Sequence, residues 1–328
     1  MPPGPIRIAR RRAVRGCVHH AGWSRLPLVP QAPAYDEFAL FHQNAEEFGI
    51  PWIGPPAVRR VEVQTSGGTI SALAWGPGHP ELVLVHGGAQ NAHTWDTVAL
   101  ALDRPLVAVD LPGHGHSSHR DDHGYWPAEN AATLEQALRE LAPDARAVVG
   151  MSLGGLTSLA LADRAPDLVR QLVLVDVTPG VNREKSSAIA QFIDGPEFFE
   201  SFDEILDRTV QFNPTRRVSS LRRGVLHNAI EAGDGRWRWR YDLPRRGSGD
   251  GDDGLVMPGL DELWRAIGRL KVPLLVVRGG TSPVVDDEDI AEVIRRKPDA
   301  RIVVVEGAGH SVQGDKPREL AEILRGVL

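Results

Sequence analysis

Four short apolar runs are the feature that most limits what this chain can fold into. They are Leu82–Val85, Leu106–Val109, Ala145–Val149 and Leu172–Val175. Each has the length of a strand and no polar alternation, which is typical of parallel strands buried on both faces. Helical patterns lie between them, one opened by Pro127 and one at Leu153–Arg164. We therefore predict an α/β fold with a mostly parallel, doubly wound sheet.

Further strands are predicted on either side of these runs. Val58–Gln64 and Ile70–Trp75 alternate in polarity around Ser66-Gly67-Gly68, which indicates an antiparallel hairpin. Apolar runs return at Val272–Val277 and Ile302–Val305. The sheet is thus predicted to begin with a hairpin and to end with two late strands.

The strand pattern is interrupted between residues 178 and 271. The pieces of this segment have at best helical character, at Ser186–Ile193, Phe198–Val210 and Ser219–Glu231. A structureless insertion of this length inside a domain is improbable. We predict a helical cap or lid (178–271) above the sheet of a core formed by residues 36–177 and 272–328. Its Gly-rich, acidic stretch at Gly247–Gly254 is predicted to be a loop.

Residues 1–35 differ in composition from the rest of the chain. They contain six arginines and no acidic residue before Asp36. A disordered extension, or an upstream start codon, is favoured over a targeting segment because no apolar stretch follows the arginines.

Charge and cysteine content exclude several classes of function. A net charge of -6 gives no general attraction for nucleic acid, and no apolar run is long enough to span a membrane. Cys17 is the single cysteine, which favours a cytoplasmic setting. No residues show metal-ligand spacing and no glycine-rich turn fits a nucleotide, so we expect no metal and no cofactor.

Ser152 is the candidate nucleophile. Gly150-Met151-Ser152-Leu153-Gly154 follows an apolar strand and opens a helix, which is the context of a nucleophile elbow. A serine needs a base to remove its proton. Among the twelve histidines, His310 is the best candidate for this base. It follows the last predicted strand and lies at the same edge of the sheet as Ser152. His86 and His114, in glycine turns, are expected to hold loops by hydrogen bonds.

Several motifs in the right order resemble those of the α/β-hydrolase superfamily. They are His86–Gly88 after a strand, Asp110–Ser117 as a DxPGxGxS turn, the elbow Gly150–Gly154 and Gly307–His310. The resemblance covers residue 58 to the carboxyl terminus. It implies that backbone N–H groups of Gly88, or its neighbour Ala89, and of Leu153 stabilise an oxyanion.

A catalytic triad needs, besides the serine and the histidine, an acidic residue that holds the histidine in the right tautomer. This residue has two candidates. Much of the family places it in Gly-x-x-(Ser/Asp)-Asp after the penultimate strand, but Pro283 occupies that position here. Asp176 ends an earlier strand in a sequence similar to the Asp-x-x-Pro of some family esterases, and parallel strands deliver their carboxyl ends to one edge. We predict Asp176 as the acid, with Asp286 as the alternative and a helix cap as the other interpretation of Asp286.

The oxyanion loop also offers pocket residues. Ala89, Gln90 and Trp95 are weak candidates for substrate binding, and Trp95 is equally typical of a core anchor for the next helix.

The leading hypothesis is hydrolysis of a small-molecule carboxylic ester, or a related lactone or thioester, through an acyl-enzyme on Ser152. Cleavage of carbon–carbon bonds in ring-cleavage products is the alternative reaction, because the same residues serve it. A non-catalytic ligand-binding protein on the same fold is the alternative of another class.

Overall fold

A computed structural model describes residues 35–242 and 257–328. The expected amino-terminal extension, apart from its last residue, and the expected loop at 247–254 lie outside the described residues. None of the described helices has the length and apolar character needed to cross a membrane.

The central sheet has the architecture that the apolar runs predict. In chain order the strands are β1 (Val58–Thr65), β2 (Gly68–Trp75), β3 (Leu82–Val85), β4 (Leu106–Val109), β5 (Ala147–Met151), β6 (Leu172–Val175), β7 (Phe198–Phe199), β8 (Ala229–Glu231), β9 (Trp237–Trp239), β10 (Leu274–Gly279) and β11 (Arg301–Val305). Eight of them form one sheet in the order β1-β2-β4-β3-β5-β6-β10-β11. Only β1–β2 and β2–β4 pair antiparallel within it, so the predicted α/β fold with a mostly parallel sheet is confirmed.

Helices cover both faces of the sheet. They are α1 (Phe41–Phe48), α2 (Asp96–Leu102), α3 (Pro127–Leu141), α4 (Leu153–Arg164), α5 (Ser187–Ile193), α6 (Phe202–Phe212), α7 (Val218–Asn228), α8 (Leu260–Arg269), α9 (Asp287–Arg296), α10 (Val312–Asp315) and α11 (Pro317–Arg325), with a 3-10 turn at Ala92–Trp95. Successive side chains of a strand point to opposite faces. Accordingly Val83 and Val85 pack with α3, α4 and α8, whereas Leu82 and Leu84 pack with α2 and α11.

The segment predicted as a helical cap contains more than helices. Besides α5, α6 and α7 it includes a three-stranded antiparallel sheet in the order β7-β9-β8. Phe198–Phe199 and Ala229–Glu231, which we predicted to be helical, are strands because each pairs with Trp237–Trp239. The last helix of the segment, α8, packs in the hydrophobic core beside α4.

Trp95 is a core residue rather than a pocket residue. Its side chain is fully buried and packs in the cluster that contains α2 and α11. The structure therefore corrects its assignment to substrate binding and leaves the core-anchor interpretation.

Replacing Trp95 with alanine is expected to lower the free energy of unfolding by about 3–5 kcal/mol, because a large buried side chain leaves a cavity. Urea denaturation measures this. Ile53, which is 92% exposed, supplies the control, and Ile53→Ala is expected to change the free energy by less than about 0.5 kcal/mol. A Trp95→Ala loss no larger than that of the control would contradict the core assignment.

Candidate active site

Ser152 lies in a strained turn between β5 and α4. Its backbone has φ 51° and ψ -123°, values that a residue with a side chain rarely adopts. The turn is tight because two glycines allow backbones to touch. A Cβ on Gly150 would lie 2.3 Å from the carbonyl oxygen of Gly154, and one on Gly154 would lie 2.3 Å from that of His86. This is the geometry of a nucleophile elbow, which exposes the serine hydroxyl at the edge of the sheet.

His310 and Asp176 form a hydrogen-bonded pair. Asp176 follows β6 and is fully buried, and its Oδ2 lies 2.8 Å from Nδ1 of His310, which follows β11. Met151 and Val175 are register partners in β5 and β6, so Ser152 and Asp176 leave neighbouring strands side by side. A proton on Nδ1, facing the carboxylate, leaves Nε2 of His310 as the basic nitrogen.

The Asp176 carboxylate accepts two further hydrogen bonds. Its Oδ1 accepts the backbone N–H of Gly279 at 2.7 Å, and its Oδ2 accepts the hydroxyl of Ser282 at 2.5 Å. Ser282 is a residue that the sequence reasoning missed. It occupies the Ser position of the family pattern Gly-x-x-(Ser/Asp)-Asp, in which Pro283 stands at the acid position, so the available signal was this serine next to Pro283.

Asp286 lies elsewhere and has other partners. It is the N-cap of α9, where its side chain and that of Asp289 form a reciprocal capping box. Its Oδ2 is also 2.8 Å from Nζ of Lys185, and this ion pair lowers the pKa of Asp286. The structure thus brings Asp176, and not Asp286, into contact with His310.

Two backbone N–H groups near Ser152 are unused. Within the described ranges, no hydrogen bond engages the N–H of Gly88 or that of Leu153. The N–H of Ala89 is different, because it donates to Nε2 of His114 at 3.1 Å. The expectation that Ala89 is an alternative oxyanion donor is therefore corrected, because its N–H is already engaged. Ala89 still lines the cavity, as expected for a pocket residue.

Buried histidines hold the loops around the serine, as predicted. His86 accepts the N–H of Leu111 at 2.9 Å, and His114 accepts that of Ala89. Burial lowers the pKa of both imidazoles, that of His114 to about 3 with a contribution from nearby His86. Each ring is thus neutral at pH 7 and has one unprotonated nitrogen, which accepts the backbone N–H.

One large cavity contains the candidate residues. It has a volume of about 800 Å³, and both Ser152 and His310 line it. Gly88, Leu153 and Gln90 also line it, and Oε1 of Gln90 accepts the N–H of Gly87 at 3.2 Å. A volume of this size suits a small-molecule ligand.

A buried charge cluster lies behind the oxyanion loop. His93 is held between Asp96, at 2.9 Å, and Glu37, at 3.1 Å. Burial opposes a charge on His93, but the two carboxylates outweigh it and raise the pKa to about 9. His227 completes a set of possible metal ligands with atoms within 4.8 Å. The rings of His93 and His227 stack 3.9 Å apart and nearly parallel, however, so their in-plane lone pairs do not converge on one ion.

Comparison with known proteins identifies relatives of this arrangement. Residues 82–323 match the model of the alpha/beta hydrolase family. Esterase Rv0045c of Mycobacterium tuberculosis is 50% identical over 301 residues, which are 89% of this chain and 96% of the esterase. The mouse sn-1-specific diacylglycerol lipase ABHD11 is 29% identical over 76% of this chain and 81% of its own. A solved structure of Rv0045c superposes with a TM-score of 0.78, at 49% identity, over 90% of this chain and 99% of that one.

Proposed function

Because this chain is an ester hydrolase of the alpha/beta hydrolase family, we propose that it works through an acyl-enzyme on Ser152, with His310 as base and Asp176 as acid. The observation that carries the proposal is the hydrogen bond from buried Asp176 to His310, a residue that lines the same cavity as Ser152.

In the proposed reaction, Nε2 of His310 takes the proton of Ser152 while the serine oxygen attacks the ester carbonyl. The free N–H groups of Gly88 and Leu153 stabilise the negative charge that develops on the carbonyl oxygen. His310 then protonates the leaving alcohol, and a water molecule activated by the same nitrogen releases the acid. Asp176 keeps the imidazole in the tautomer that these transfers need.

Carboxylic esters are the proposed substrates, and the relatives support this choice because one is named an esterase and another a lipase. Lactones and thioesters have the same acyl chemistry. Carbon–carbon cleavage remains the alternative reaction, and a comparison of turnover of simple esters with turnover of ring-cleavage products separates the two. The lone Cys17 supports a cytoplasmic setting.

A fluorophosphonate probe tests the proposal, since it labels only activated serines. We expect one adduct, located on Ser152 by peptide mapping and abolished in His310→Ala. The matched control is His79→Ala, a histidine outside the cavity lining, which is expected to label at the wild-type rate. An unlabelled Ser152 in folded wild-type protein would instead favour the non-catalytic ligand-binding interpretation.

A further inference from the structure

The cavity contains an arginine whose charge has weak partners. Arg216 precedes α7, lines the cavity, and has a side chain that is 23% exposed. Its Nε lies 3.5 Å from Oδ1 of Asp315, and a terminal nitrogen donates to Ser220 Oγ at 3.4 Å. Both distances are longer than the usual upper limit of about 3.2 Å. A guanidinium has several N–H donors, so most of those of Arg216 are unused within the described part of the chain.

Two other cations that line the cavity, Lys185 and Arg223, are better neutralised. Nζ of Lys185 lies 2.8 Å from the carboxylates of two aspartates at the start of α9. Arg223 is 2.7 Å from Glu47 and donates a second hydrogen bond, from Nε, at 2.6 Å. Arg216 therefore differs from these two cations in having capacity for another anion.

The direction of the pKa shift of Arg216 agrees with the long distances to its partners. Burial lowers its pKa, and Asp315 offsets only part of this effect. Arg60 shows the opposite balance, because Glu37 and Asp110 outweigh burial and raise its pKa. A charged group taken out of water without close partners is destabilising unless a ligand supplies them.

We propose that Arg216 binds a carboxylate carried by the acyl chain of the substrate, so that the cavity prefers esters with a negative charge at the far end. This inference rests on the proposed function. The planar fork of a guanidinium matches a carboxylate with two parallel hydrogen bonds. Asp315 links Arg216 to the loop of the proposed base, because its other oxygen accepts the N–H of Gly309, the neighbour of His310, at 2.9 Å. Arg216, Ser152 and His310 line the same cavity. The proposed ligand contacts Arg216 while its carbonyl lies at Ser152.

The test compares two esters of equal shape and different charge. They are the p-nitrophenyl monoester of adipic acid and its neutral monoamide counterpart, p-nitrophenyl 5-carbamoylpentanoate. We expect the wild-type protein to prefer the carboxylate in kcat/KM by about 10- to 100-fold, the range expected for hydrogen bonds to a charged group. Arg216→Gln is expected to abolish this preference and to change kcat/KM for the amide by less than about threefold. Arg216→Lys is expected to retain part of it.

The control is Arg217→Gln, which removes the same charge one residue away, on an exposed side chain outside the cavity lining. It is expected to keep the wild-type preference. If Arg216→Gln lowers turnover of both esters equally, Arg216 acts by holding Asp315 and the His310 loop, and the proposal is wrong. A wild-type protein that does not distinguish the two esters also overturns it.

A binding measurement separates failure of this inference from failure of the proposed reaction. Calorimetry with adipate and the Ser152→Ala protein needs no turnover. Adipate binding that is lost in Ser152→Ala/Arg216→Gln supports the anion site even if no ester is hydrolysed. Absence of adipate binding to Ser152→Ala, with ester turnover intact in the wild type, overturns the anion site alone.

Discussion

Ser152→Ala is expected to lower kcat for p-nitrophenyl butyrate by about 10⁶-fold, which is the loss seen when the nucleophile of a comparable triad is removed. The reason is that neither the oxyanion donors nor the cavity can form an acyl-enzyme without the serine oxygen. His310→Ala is expected to cause a similar loss. The double variant is expected to be no worse than either single one, because the two residues act as a unit.

Steady-state kinetics with active-site-titrated protein measures these effects. Ser158, a buried serine of the same helix whose Oγ donates to the carbonyl of Gly154, provides the matched control. Ser158→Ala is expected to lose stability but to keep kcat within about threefold of the wild type. Residual activity above about 1% in Ser152→Ala, with the same fold by circular dichroism, would remove Ser152 as nucleophile.

The parts of the fold that were predicted from sequence are those with a local signal. Leu82–Val85, Leu106–Val109 and Leu172–Val175 have the bounds predicted, because a strand buried on both faces leaves an uninterrupted apolar run. The elbow helix Leu153–Arg164 was also predicted residue for residue. In each case the pattern depends on the element itself and on burial, not on a particular distant partner.

The parts that were missed depend on distant partners. β7 has two residues, and it is a strand only because Phe198–Phe199 pairs with Trp237–Trp239 nearly forty positions later. The contact of Ser282 with Asp176 spans 106 positions. Ala89 has an engaged N–H because His114 approaches it from another loop. Short strands and single hydrogen bonds of this kind have no periodicity in the sequence that could reveal them.

Asp176→Asn is expected to lower kcat by about 10⁴-fold, whereas Asp286→Asn is expected to lower it by less than about threefold. The backbone N–H of Gly279 requires an acceptor, so the amide oxygen of an asparagine would face Gly279 and its NH₂ would face His310. Nδ1 of His310 would then have to accept, and the proton would move to Nε2. In that tautomer the imidazole cannot take the proton of Ser152.

The pH-independent kcat of both variants on p-nitrophenyl butyrate provides the measurement, and melting temperatures check folding. Asp286 is the matched control because it is an aspartate in the loop that follows β10, at the N-cap of α9. Asparagine caps helices as well as aspartate does, so Asp286→Asn keeps the cap and removes the ion pair with Lys185, which has no part in the proposed proton transfer. Near-normal turnover in Asp176→Asn, together with a loss of orders of magnitude in Asp286→Asn, would reverse the assignment and require the loop after β10 to rearrange during catalysis.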